Sequence, residues 1–180
     1  TSYYRNQPWQ NYGLQKVESI AVHKIKTPSI KYWFYMKQTL VSVDMSSIEF
    51  SECRDLSYAF FGCNRLVDLD VSDWDTHSVA SLRYAFNNCK SLEALDVSRW
   101  DTSNLGKQAF SFEGAFAACE KLKQIDTSKW KVDMVDEYFR NASKVSNTMF
   151  YGCSSLESLD LSGFTVPERF SGKDQDNENW

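Results

Sequence analysis

One nine-residue stretch limits what this chain can fold into, because the chain uses it again and again. Leu66-Val67-Asp68-Leu69-Asp70-Val71-Ser72-Asp73-Trp74 returns with small changes at Leu92–Trp100, Leu122–Trp130 and Leu156–Phe164, and more weakly at Leu40–Ile48. The first leucines of the copies are 26, 26, 30 and 34 residues apart. A unit this short cannot bury its own apolar residues, so the copies must stack and share one core.

Within each copy the apolar positions keep register. Leu66, Leu69, Val71 and Trp74 match Leu92, Leu95, Val97 and Trp100, then Leu122, Ile125, Thr127 and Trp130, then Leu156, Leu159, Leu161 and Phe164. Leu69-Asp70-Val71-Ser72 alternates with period two, which predicts a half-buried strand. Val79, Leu82, Phe86 and Cys89 are three or four apart, which predicts a short helix with one buried stripe. Asp75-Thr76-His77-Ser78 supplies capping oxygens ahead of it. Phe60-Phe61-Gly62-Cys63 and Phe150-Tyr151-Gly152-Cys153 predict the tight return, with glycine where a positive φ is needed.

The expected fold is therefore α/β: a leucine-rich-repeat-like, right-handed solenoid of about five coils, with a parallel sheet on one face. Residues 1–39, rich in Tyr, Trp and Phe, are expected to be an N-terminal cap with strands at Ser19–Ile25 and Tyr32–Met36. Residues 40–166 form the repeats. Residues 167–180 are polar and expected to be a disordered tail.

Stacking puts like residues over like. Phe60, Phe86, Phe116 and Phe150 make one column, and Cys63, Cys89, Cys119 and Cys153 another. Five cysteines with no CxxC pair do not form a disulfide framework, and buried, reduced thiols used as small apolar fillers are expected instead. With two histidines, zinc has too few ligands, and no metal or other cofactor is expected.

The strand spacing is the leucine-rich-repeat pattern with an aromatic where many such repeats carry Asn. Leu-Asp-Val-Ser-x-Trp-Asp-Thr-Ser-Asn-Leu followed by Tyr-Ala-Phe-x-x-Cys-x-x-Leu resembles, more closely, the BspA-like repeat of bacterial surface proteins. That resemblance runs from about Leu40 to Val166. It implies a secreted or cell-surface bacterial protein that serves adhesion or interaction, with no catalysis.

Function classes narrow further on composition. The net charge of −4 and scattered Lys and Arg give no case for nucleic acid. No apolar run approaches the ~20 residues of a membrane helix, so no membrane insertion is expected. Asp68 to Asp73 superficially resembles the start of an EF-hand loop, but Asp73 stands where glycine is required and Val79 where glutamate is required. A Ser-His-Asp arrangement would have to use His23 or His77. No catalytic residue is assigned, and the chain is not expected to be an enzyme.

Two groups remain as candidate ligand-binding residues. Asp70, Asp96 and Asp126 lie in one exposed column with Asp44 and Asp160. Such a column suits a cationic partner, sugar hydroxyls or Ca2+, or else each Asp caps backbone N–H groups of its own turn. Crowded carboxylates should raise one another's pKa unless hydrogen bonds compensate. The second group is aromatic: Tyr58 and Tyr84 beside the buried stripe, Phe110 in the shorter insertion, and Tyr138, Phe139 and Arg140 in the longer one. Both insertions lie after the strand, so they bulge from one edge. The expected function is a non-catalytic extracellular recognition or adhesion module for a protein or host-surface ligand. A carbohydrate-binding module of a larger secreted glycan-degrading protein is the alternative, and a structural spacer a third. The oligomeric state is open.

Overall fold

The computed structural model describes residues 17–22, 25–108, 110–133 and 149–165. Among them are seven short strands: β1 Ser19–Ala21, β2 Ile25–Lys26, β3 Ser42–Asp44, β4 Ile48–Glu49, β5 Asp68–Leu69, β6 Val132–Asp133 and β7 Phe164–Thr165. They form three separate parallel sheets, ordered β1-β3-β5, β2-β4 and β6-β7. Isolated parallel bridges Ser29↔Asp55, Asp55↔Ser81 and Ala94↔Gln124 continue the pairing between copies.

The expected helix-plus-sheet leucine-rich-repeat solenoid is not what forms. No α-helix occurs among the described residues, and no sheet runs continuously along the copies. The hydrogen bonds explain the first difference. In a helix every N–H returns to the carbonyl four residues back. Here alternate donors do different work. Ala59, Phe61 and Cys63 donate three residues back, to Leu56, Tyr58 and Phe60. Tyr58, Phe60 and Gly62 donate sideways, to Arg83, Ala85 and Asn87 of the next copy. A positive φ recurs every fourth residue, at Tyr58 (58°) and Gly62 (74°), then at Tyr84 (52°) and Asn88 (60°). Consecutive three-bond turns of this kind bury Leu56, Phe60 and Cys63 at helical spacing without making a helix.

The strands are short for a local reason. The Ser72 N–H and hydroxyl both donate to Asp70 Oδ1, at 2.9 and 2.7 Å. This side-chain turn bends the chain just past Leu69, where an alternating strand would have continued. The same bond pair recurs at Asp44–Ser46, Asp96–Ser98 and Asp126–Ser128.

The expected cap strand at Ser19–Ile25 appears as two, β1 and β2, in different sheets. Tyr32–Met36 is not a strand: it follows the same turn pattern as the later copies, with positive φ at Tyr32 and Met36. Register therefore extends back to Ile30, whose N–H donates to Asp55 O at 3.1 Å. The expected tail, 167–180, lies outside the described residues.

Stacked columns make the core. Phe34, Phe60, Phe86, Phe116 and Phe150 lie face to face, with successive centroids 5.0, 5.4, 5.4 and 5.4 Å apart. Trp74, Trp100 and Trp130 form a second file, 6.0 and 6.3 Å apart and within 9° of parallel. Trp100 Nε1 donates to Val71 O and Trp130 Nε1 to Val97 O, each reaching one copy back. The thiols form a third column: Cys63, Cys89, Cys119 and Cys153 donate to the carbonyls of Phe34, Phe60, Phe86 and Phe116. All five cysteines are free.

Candidate functional site

The turn pattern places an aromatic at the same outer position in three successive copies. Tyr32, Tyr58 and Tyr84 follow one another there at 26-residue intervals. Tyr32 and Tyr58 stack at 4.9 Å and 17°, and Tyr58 and Tyr84 lie 5.2 Å apart. All three are half-buried. A second file runs beside them, with Tyr35 stacked on Phe61 at 5.1 Å. Tyr35 meets Tyr58 edge-on, and Phe61 meets Tyr84 the same way. The result is a two-column aromatic edge.

Every tyrosine of the first column has a positive φ, which costs a side-chain-bearing residue about 1–2 kcal/mol. Ring pairs return about 0.5–1.5 kcal/mol each. The column ends at Gly114, the next occupant of this position, because the Tyr84 ring leaves no room there. A Cβ on Gly114 would collide with the edge of that ring.

Charge closes this end of the edge. Glu113, 5 % exposed, accepts from Tyr84 Oη at 2.9 Å and from Arg83 Nε at 3.0 Å. The Arg83 guanidinium lies over both the Tyr84 ring and the half-buried Phe110 ring, at 5.5 and 5.2 Å from their centroids. Burial and the Glu113 bond push the Tyr84 hydroxyl above its usual pKa. Tyr58, Tyr84 and Phe110 are thus brought together. Tyr138, Phe139 and Arg140 lie outside the described residues.

Asp70, Asp96 and Asp126 are exposed and aligned, far in character from the aromatic edge. Their mutual repulsion does not dominate. The Ser72, Ser98 and Ser128 hydroxyls, and then their backbone N–H groups, hold these carboxyls below the usual aspartate range. Each carboxylate spends one oxygen on its own turn.

His77 Nδ1 and Asp75 Oδ1 lie 2.6 Å apart, and His77 Nε2 lies 3.0 Å from Ser78 Oγ. The same Ser78 hydroxyl donates to Ser51 O at 2.9 Å. It therefore ties two copies together, as Thr76 does through Asp101 O. The thiols are equally committed to structure. Burial pushes Cys53 up to about 11 and Cys63 up to about 12, and raises Cys89 further from reactivity. Among the described residues no group of three or more His, Cys, Asp or Glu side chains could hold a metal ion, and no helix is long and apolar enough to cross a membrane.

A family model described as "Mycoplasma protein of unknown function, DUF285" matches residues 28–151. The chain belongs to this family. No curated protein and no solved structure matches it. The DUF285 span begins beside Ser29, the first bridged residue of the turn register, and ends at Tyr151. It contains the whole aromatic edge and Asp70, Asp96 and Asp126. The bacterial setting agrees with the resemblance noted from the repeat. The match does not extend to the BspA-like family itself.

Sequence reasoning missed Tyr32, Tyr35 and Phe61 as members of the edge, although the 26-residue interval Tyr32–Tyr58–Tyr84 was visible. It also missed Arg83 and Glu113. No sequence signal marks that pair, because they meet only once the copies stack.

Proposed function

We propose that this chain is a non-catalytic recognition module of a bacterial cell-surface protein and that it binds a protein ligand through its aromatic edge. The observation that carries the reading is the two-column array of Tyr32, Tyr35, Tyr58, Phe61 and Tyr84 at the surface, with Arg83 at its end. Tyrosine and arginine dominate the energetics of protein interfaces, since they bring large rigid area and hydrogen-bonding tips together. A secreted or surface location, and kinship with BspA-like adhesion proteins, fit this role and rest on the repeat resemblance.

A glycan ligand has less support. Sugar rings stack on exposed aromatic faces, and here the faces cover one another.

The test is a pull-down of host extracellular proteins on the immobilised chain, followed by Tyr35→Ala and Tyr58→Ser. Tyr35 is the more exposed, so its loss leaves the fold intact. The reading expects both variants to lose at least tenfold in affinity for the captured ligand. Retention of full affinity by both would refute it.

A further inference from the structure

A second surface lies on the aspartate side, away from the aromatic edge. A cleft of about 340 Å³ opens between two neighbouring copies, and its walls include Asp44, Met45, Asp68, Asp70, Asp73 and Trp74. Its origin can be traced. Pairing between β3 and β5 stops after Val43↔Leu69. Beyond that point the other copies are tied together by an indole: Trp100 to Val71 O at 2.9 Å, and Trp130 to Val97 O at 3.1 Å. Met45 holds the matching position for Trp74, and that tie is missing. The preceding copy has Ile48 where the next three have tryptophan, and Trp74 stacks on Phe50 instead, at 4.2 Å.

Trp74 is consequently 6 % exposed with Nε1 lacking any hydrogen-bond partner, the sole such buried side-chain atom among the described residues. A buried donor left without an acceptor is rare and calls for an occupant. In the other copies this N–H spans the gap toward the preceding copy; here that gap is the cleft. Around the rim the charge is negative. Asp73 is paired with Arg99 at 2.6 Å. Asp70 gives one oxygen to Ser72. The exposed Asp68 carboxylate makes no ion pair or hydrogen bond among the described residues; its backbone N–H donates to Val41 O.

We propose that this cleft binds a lysine- or arginine-bearing peptide segment. The cationic side chain sits against Asp68 and Asp70. A backbone carbonyl of the same segment accepts from Trp74 Nε1, reaching it as the flexible Met45 side chain gives way. A bare ammonium or guanidinium has no acceptor to offer the indole, and a neutral ligand leaves the carboxylates uncompensated. A basic peptide answers both. The site shares no residue with the aromatic edge, so it stands or falls separately from the reading above.

The test titrates the 15N-labelled chain with acetyl-trilysine amide and follows the three indole N–H signals of Trp74, Trp100 and Trp130. Trp74→Phe assigns the first. The Trp74 signal is expected to shift saturably, while those of Trp100 and Trp130, already bonded to carbonyls, stay in place. Asp68→Asn, whose dispersed spectrum serves as the folding control, is expected to weaken binding about fivefold. Tyr58→Ser leaves this binding unchanged. The proposal is overturned if the Trp74 signal does not move, if all three signals move alike, if Asp68→Asn binds as tightly, or if maltose produces the shift and the peptide does not.

Discussion

Trp74 and Trp100 offer a paired comparison, because they are equally buried and differ in one hydrogen bond. Exposure is 6 % and 4 %, and both indoles lie in the same stacked file. Replacing either with Phe removes a similar amount of buried ring, so that cost is common to both. Trp100→Phe also loses the bond to Val71 O, worth about 1 kcal/mol; Val71 O keeps its bond from the Trp74 N–H, which spares the larger penalty of an orphaned carbonyl. Trp74→Phe removes a donor that has no partner, which relieves roughly 1 kcal/mol or more of desolvation cost. Trp74→Phe should therefore be milder by about 2 kcal/mol. Urea unfolding followed by far-UV circular dichroism measures this without relying on the altered fluorophores, provided that the slopes agree. If the two variants unfold within about 0.5 kcal/mol of each other, or if Trp74→Phe is the worse, the hydrogen-bond assignment is wrong.

Acid should weaken the chain through its aspartate turns. Asp70, Asp96 and Asp126 have folded pKa values below their unfolded ones, so their contribution is present above about pH 4 and fades as pH falls through the lower folded values; urea midpoints should drop below pH 4, and less steeply in Asp96→Asn. Gly114→Ala should cost about 2 kcal/mol or more, since it adds a side chain at φ 57° against the Tyr84 ring, and a thermal melt should show the loss. Phe86→Ala empties the middle of the phenylalanine file and should cost about 3–5 kcal/mol by the same melt. Thiol labelling at pH 8 should be slow for Cys63, Cys89 and Cys119, with the half-buried Cys153 reacting first; fast reaction of Cys89 in the folded chain would contradict its burial.

What could be read from the sequence was the register. The spacing of Leu66, Leu69, Val71 and Trp74 set which side chains meet which, and the phenylalanine, tryptophan and cysteine columns stand where that spacing puts them. Columns are legible because each copy carries the same residue types at the same places in its motif, so aligning the motifs admits one in-register stacking even where the spacing lengthens. The backbone between them was not legible. Apolar residues three and four apart fit a helix and also fit a run of three-bond turns, and periodicity does not separate the two. The choice was made by the neighbouring copy, whose carbonyls take every second N–H and leave no helix to form. In the same way the alternation around Asp70 reads as a strand until the Ser72 hydroxyl and amide close on the carboxylate. The Arg83–Glu113 pair and the unbonded Trp74 indole depend on which copy lies against which, so only the stacked structure could decide them.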